Sequence, residues 1–238
     1  MKKRTVLVTG SNRGIGLGIA NAFYETKEYN VIVTARNIED IDSLQKKGFI
    51  ANLLDVTDSG SVTDLFDILK EKNLLPDTIV NNAGIASLKP FTKLNEDDLT
   101  RVMDTNFYGT YRVMKKFIPD MAKKRFGRII NISSVLAAMP QKGFAHYCAS
   151  KAAIEAITRN IAIEYAGRGI TANCIAPGFV DTDILSCLGS EGKTMIETKI
   201  PLNEVSSPDD IGKLAIYIAS ARHMTGETIN LNAGLYFR

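Results

Sequence analysis

"TGSNRGIG", Thr9–Gly16, follows directly on the β-branched run "TVLVT" (5–9) and leads into the apolar stretch "LGIANAFYE" (17–25). Strand, glycine turn and helix in that order form the start of a βα unit. The glycines fall at Gly10, Gly14 and Gly16, spaced G-x-x-x-G-x-G rather than G-x-G-x-x-G. Each has a separate physical use. Gly10 can take positive φ in a tight turn. Gly14 leaves no Cβ in the way of a pyrophosphate, and Gly16 lets the helix approach the strand. The helix N-terminus then offers free N–H groups and a partial positive charge to phosphate. A packing loop with incidental glycines has the same composition, so the turn alone does not decide the function.

Outward from this turn the same alternation continues. The runs "NVIVTA" (30–35), "FIANLL" (49–54), "DTIVN" (77–81), "GRIINIS" (127–133), "GITANCIA" (169–176) and "ETINLN" (227–232) are continuously apolar rather than alternating. That is the pattern of strands buried on both faces of a parallel sheet. Helical patterns lie between them near 15–26, 38–47, 59–72, 96–125, 147–166 and 208–220. The chain is expected to be α/β: one Rossmann-type, doubly wound parallel sheet of about seven strands with helices on both faces, forming a single domain over 1–238. Ligands of such sheets bind beyond the carboxyl ends of the strands, at the switch point. The residues just after each strand therefore carry the functional information.

Bulk composition narrows the classes. The net charge is +3, and Lys and Arg are scattered apart from Lys2–Arg4 and Lys123–Arg125. No basic stripe of the kind that binds nucleic acid is present. Cys148, Cys174 and Cys187 are odd in number and show no C-x-x-C spacing. This fits a reducing, cytoplasmic setting. "MKKRTVLVTG" is too short in apolar residues for a signal peptide and reads as the first strand. No 18-residue apolar run exists, so no membrane span is expected. "GSEGKT" (189–194) looks like the end of a P-loop, but Cys187 stands where its first glycine belongs. It is read as a polar loop.

"HYCASK" places Tyr147 and Lys151 four residues apart at a helix start, on one face. A phenol of pKa about 10 is too weak an acid for efficient proton transfer near neutrality. A nearby ammonium would lower it by roughly one to three pH units if partly desolvated. A surface tyrosine above a solvated lysine would give the same spacing. "NISSV" (131–135) ends the fifth strand with two hydroxyls. Ser134 can hydrogen-bond a substrate oxygen there, or the serines can cap the next turn. His146 and His223 are too isolated for a metal cluster, and no metal is expected. His146 sits near the substrate mouth or caps the helix.

Throughout its length the chain resembles the short-chain dehydrogenase/reductase family. The matching pieces, in order, are "TGSNRGIG", "DV" (55–56), "NNAG" (81–84), Asn106 in "DTNFYG", Ser134, "YCASK" and "APGFVDTD" (176–183). The resemblance implies a catalytic set of Asn106, Ser134, Tyr147 and Lys151. Tyr147 would donate a proton to a carbonyl oxygen, and Ser134 would orient that oxygen. Lys151 would hold the nicotinamide ribose, and Asn106 would support a water relay. It further implies that Gly10, Ser11, Asn12, Arg13, Gly14, Ile15 and Gly16 hold the pyrophosphate and that Asp55 and Val56 border the adenine. Asn82, Ala83 and Gly84 would run along the cofactor. Pro177, Gly178, Val180 and Thr182 would meet its nicotinamide side.

After the second strand the chain reads "VTARN", with no acid before Glu39 to take a ribose 2′-OH. Arg36 and, within the glycine turn, Arg13 suit a 2′-phosphate instead. NADP(H) is therefore the expected cofactor. Within the family, "KKRFGRIINISSV", "EYAGRGITANCIAPGFVDTD" and "TGETINLNAGLY" most resemble the 3-oxoacyl-[acyl-carrier-protein] reductases of fatty acid synthesis. Arg125 and Arg168 fall where that subgroup carries arginines that receive the acidic carrier protein. One stretch departs: "IPLNEVSSPDD" replaces "IPLGRxGxPEE", putting Asn203, Glu204 and Ser206 for Gly, Arg and Gly. A small-molecule ketone or secondary alcohol is the alternative substrate. Residues 183–206 are the expected lid. A homotetramer packed through the helices near 96–125 and 147–166 is the expected assembly.

Overall fold

The computed structural model describes residues 3–181 and 198–237. Seven parallel strands form one sheet in the order β3-β2-β1-β4-β5-β6-β7. They are β1 (Arg4–Val8), β2 (Tyr29–Ala35), β3 (Ile50–Leu53), β4 (Thr78–Asn81), β5 (Gly127–Ile132), β6 (Ile170–Pro177) and β7 (Thr228–Leu231). The helices are α1 (Gly14–Glu25), α2 (Ile38–Lys46), α3 (Ser59–Glu71), α4 (Glu96–Met103), α5 (Gly109–Lys124), α6 (Ala145–Tyr165) and α7 (Pro208–Ser220). The expected doubly wound sheet is present.

Successive side chains of a strand point to opposite faces. Val6 and Val8 of β1 pack with Ile19 and Phe23 of α1 and Ile211 and Ile218 of α7. Leu7, between them, packs on the other face with Leu65 and Leu69 of α3 and Val113 and Phe117 of α5. All of these are at most 1% or 2% exposed. Both faces of β1 are thus dry, which explains a continuous apolar run rather than an alternating one. The strand order reverses where β1 has β2 on one side and β4 on the other. That is the switch point of the sheet.

One expectation needs amendment. The pattern over 96–125 is not one α-helix, because Asp104–Tyr108 between α4 and α5 is a single π-helical turn. Such turns interrupt helices at functional sites, and here the interruption carries Asn106. Of the expected lid, residues 183–197 lie outside the described residues, as do "GSEGKT" and Thr182. The remainder is folded onto the body. Ile200 is 2% exposed against Phe179, Val205, Ala233 and Leu235, and Val180 pairs with Ser206 as a parallel bridge. Asn203 has φ +54°. Asparagine is among the few residues that visit this left-handed region routinely, so the loss of a glycine here is compatible with the turn.

Candidate active site

The carboxyl ends of β1 to β6 open into a cavity of about 650 Å³. Its walls include Gly10, Asn12, Arg13, Gly14, Ile15 and Gly16 after β1, Arg36 after β2, and Asp55 and Val56 after β3. Asn82, Ala83 and Gly84 after β4, Ser134 after β5, Tyr147 and Lys151 of α6, and Pro177 and Gly178 complete it. Positions 122 residues apart in the chain, such as Val56 and Gly178, thus face one space. β2 and β5 are three strand spacings apart, about 14 Å. The cavity therefore runs from the arginines to the Ser–Tyr–Lys group across the sheet.

The glycine turn is built around Asn82. Its Nδ2 donates to the carbonyls of Thr9 (3.0 Å) and Gly10 (2.9 Å), while Thr9 Oγ1 accepts the N–H groups of Asn82 and Ala83 at 3.0 Å each. A Cβ on Gly16 would collide with Asn82 Nδ2 and the Gly10 carbonyl. Gly10 has φ +60° and lies against Ala83. α1 starts at Gly14 with no side-chain cap and no acid in its first turn. Its N–H groups are therefore left for a ligand, and an anion meets no competing carboxylate there. The residues present fit a dinucleotide pyrophosphate.

At the other end, Tyr147 is partly exposed on the cavity wall. Burial pushes its phenol above the ordinary value; a hydrogen bond with Ser134 opposes this and Cys148 adds to it. The sequence-based expectation that Lys151 lowers this phenol is not met. Lys151 Nζ donates to the Ile132 carbonyl at 2.7 Å and stands 5.7 Å from the Tyr147 ring centre. Burial pulls its ammonium down to about 8, with Cys174 acting weakly the other way. The capping reading of Ser134 is met, and it leaves the other one open. Its Oγ accepts the Leu136 N–H at 3.2 Å as the cap of a short 3-10 turn. A hydroxyl that accepts still has its own proton to donate. Ser133 turns inward instead and donates to Glu155 Oε1 at 2.8 Å.

Asn106 is fully buried and does not line the cavity. Its Oδ1 accepts the Ile85 N–H (2.8 Å), and its Nδ2 donates to the Ile85 carbonyl (3.0 Å) and to Ser150 Oγ (3.0 Å). It ties the segment after β4 to the catalytic helix. Below the site, Asn81 Nδ2 donates to Asn131 Oδ1 (2.7 Å) and Asn131 Nδ2 to Thr158 Oγ1 (2.8 Å). This buried chain locks β4, β5 and α6 together. Nothing in the local sequence pattern of these asparagines announces it.

At the β2 end, Arg13 and Arg36 are exposed on the cavity rim. Asp40, in the first turn of α2, lines the same cavity and accepts from Asn12 Nδ2 at 3.1 Å. Asp55 is held below the usual carboxylate range: burial works to raise it, but the Thr57 hydroxyl and amide, then Arg36 and Arg112, outweigh that.

Four expected residues are placed elsewhere. Ser11 is fully buried; its hydroxyl donates to the Val8 carbonyl at 2.9 Å and accepts the Thr34 N–H at 2.9 Å. It shapes the turn and does not face the cavity. Val180 is 7% exposed, and its side chain belongs to the apolar core. Arg125 Nη2 donates to the carbonyl of Gly167, the residue before Arg168, at 3.0 Å. The two arginines precede β5 and β6, at the opposite end of the sheet from the cavity. The six residues of β5 put about 20 Å between Arg125 and Ser134.

A parallel switch-point sheet with an open glycine turn at one end of its cavity and Ser, Tyr and Lys at the other defines a dinucleotide-dependent oxidoreductase. Residues 10–236 match the family model described as Enoyl-(Acyl carrier protein) reductase, and the chain belongs to that family, within the short-chain dehydrogenases/reductases. It is 36% identical to the 3-oxoacyl-[acyl-carrier-protein] reductase of Haemophilus influenzae, with 99% of each chain covered. It is 36% identical to that of Chlamydia pneumoniae (98% and 97% covered) and 35% identical to that of Staphylococcus aureus N315 (98% of each). A solved structure, a putative gluconate dehydrogenase from Agrobacterium tumefaciens, superposes with a TM-score of 0.90 at 28% identity, covering 98% of this chain and 95% of that one.

Proposed function

We propose that the protein reduces a 3-oxoacyl thioester, carried on acyl-carrier protein, to its 3-hydroxyacyl form, using NADPH. The observation that carries this reading is full-length similarity to 3-oxoacyl-[acyl-carrier-protein] reductases from several bacteria, with Ser134, Tyr147 and Lys151 gathered on one cavity. The family implies a nicotinamide dinucleotide, and the exposed Arg13 and Arg36 favour the phosphorylated form. When bound, NADPH supplies a hydride to the carbonyl carbon. Tyr147 gives its proton to the carbonyl oxygen. With its phenol raised by burial, Tyr147 is protonated at neutral pH and so holds the proton that the reduction consumes. Ser134 donates its hydroxyl proton in a hydrogen bond to the same oxygen. Lys151 holds the ribose side of the site. Asn106 fixes the segment after β4 and steadies Ser150 one residue before Lys151.

A second reading, a small ketone or secondary alcohol, is favoured by the exposed Glu204 in the departing stretch 203–206 and by the dehydrogenase neighbour. Arg125 and Arg168 support carrier docking only toward the site of another copy, given their place at the far end of β5. Four copies packed through α5 and α6 accord with the exposed Tyr111 (38%) and Ile163 (83%). No described helix is long and apolar enough to cross a membrane. The assay is NADPH oxidation with acetoacetyl-carrier protein against simple ketones and gluconate-type substrates. Preference for a free small molecule would replace the first reading by the second.

A further inference from the structure

Ser87 and His146 are 59 residues apart in the chain, yet Ser87 Oγ and His146 Nε2 stand 2.6 Å apart. His146 is 1% exposed, and its Nδ1 has no partner among the described residues. An apolar ring of similar size would fill this position without burying an unpaired nitrogen. The compensating bond of this imidazole is the one to Ser87. Two further links run alongside it. The Lys89 N–H donates to the Gly143 carbonyl at 2.9 Å, and Asn106 joins Ile85 to Ser150. Ile85 and Ala86, between these anchors, line the same cavity as Tyr147. His146 is the residue immediately before Tyr147, in the first turn of α6.

We propose that the Ser87–His146 bond is a clasp that fixes the substrate-side wall, 85–89, against the first turn of the catalytic helix, making His146 a positioning residue for the carbonyl substrate. It sets how far Ala86 stands from the Tyr147 hydroxyl, and so how closely the carbonyl is held. The dinucleotide end, built on α1 and β2, is outside its reach. The kinetic part rests on the reductase reading above; the structural part does not.

The test uses Ser87→Ala, His146→Phe, their combination and His146→Gln, whose amide Nε2 takes the place of the imidazole Nε2. Losing a buried hydrogen bond predicts a fall in kcat/KM on the order of tenfold in each of the first two. It enters chiefly as a higher KM for an acetoacetyl thioester, with NADPH affinity unchanged. The double variant should be no worse than the worse single one, and His146→Gln should recover most of the loss. Amide hydrogen exchange at Ile85 and Lys89 should quicken in both single variants. Additive losses, or unchanged exchange with unchanged KM, would overturn the proposal. Ser87→Ala removes one oxygen from a half-buried loop residue and carries the test should His146→Phe fail to fold. A wild-type protein that reduces no carbonyl compound would end the reductase reading, while the exchange measurement would still decide the clasp.

Discussion

Replacing Lys151 by Met should stabilise the protein at neutral pH, and the gain should vanish as pH rises. Lys151 is 4% exposed, and burial pulls its ammonium from 10.5 to about 8. Below pH 8 the lysine is charged in both the folded and the unfolded chain, and the burial penalty is present in full. Between about 8 and 10.5 the folded protein has shed a proton that the unfolded chain keeps, so folding becomes more favourable with pH. Above 10.5 both are neutral and the penalty is gone. At about 1.4 kcal/mol per pH unit of displacement, the penalty is about 3.5 kcal/mol. The variant also loses the charge-assisted bond to Ile132, worth at least roughly 1.5 kcal/mol, which leaves a net gain of up to about 2 kcal/mol at pH 7. For a chain of this size that raises Tm by roughly 4–8 °C. Cys174, pushed up to about 12 by burial, stays a neutral thiol in both folded proteins up to pH 10. Urea unfolding followed by circular dichroism at pH 7, 8.5 and 10 reads the gap directly. A Met variant less stable at pH 7, or a gap that stays constant to pH 10, would refute the reasoning.

Two other perturbations act on the dinucleotide end. Replacing Arg13 and Arg36 together by Ala should weaken NADPH binding by at least tenfold and leave NADH nearly unaffected, as read by fluorescence titration with each; equal losses for both would remove the arginines from phosphate selection. Gly16→Ala should force Asn82 off the Thr9 and Gly10 carbonyls, lowering stability by roughly 2–3 kcal/mol and weakening NADPH; thermal unfolding with and without the dinucleotide measures both, and an unperturbed variant would contradict the described turn.

The sheet was legible because both its faces are buried. A run such as Val6-Leu7-Val8 has no polar alternation to lose, and its partner helices carry their own periodicity. The glycine turn was legible because close backbone approach admits few residues. What stayed hidden depends on contacts distant in sequence. The π-turn at Asp104–Tyr108 has an ordinary helical composition, and its role appears only once Asn106 meets Ile85. Asp40 reaches the cavity from the first turn of α2, one residue beyond Glu39, and only the fold turns it toward Asn12. Ser11 and Val180 belong to stretches that border the site, yet their side chains face the core. The expected effect of Lys151 on Tyr147 failed because helical spacing says nothing of the Ile132 carbonyl that claims the ammonium.

The central claim is that Tyr147 delivers the proton to a thioester-bound 3-oxo group. Turnover of acetoacetyl-carrier protein by wild type and Tyr147→Phe, measured as NADPH oxidation alongside NADPH affinity, tests it most directly. The account predicts rapid oxidation by wild type, a loss of at least a thousandfold in the variant, and unchanged NADPH binding. Comparable turnover by the two proteins would contradict it.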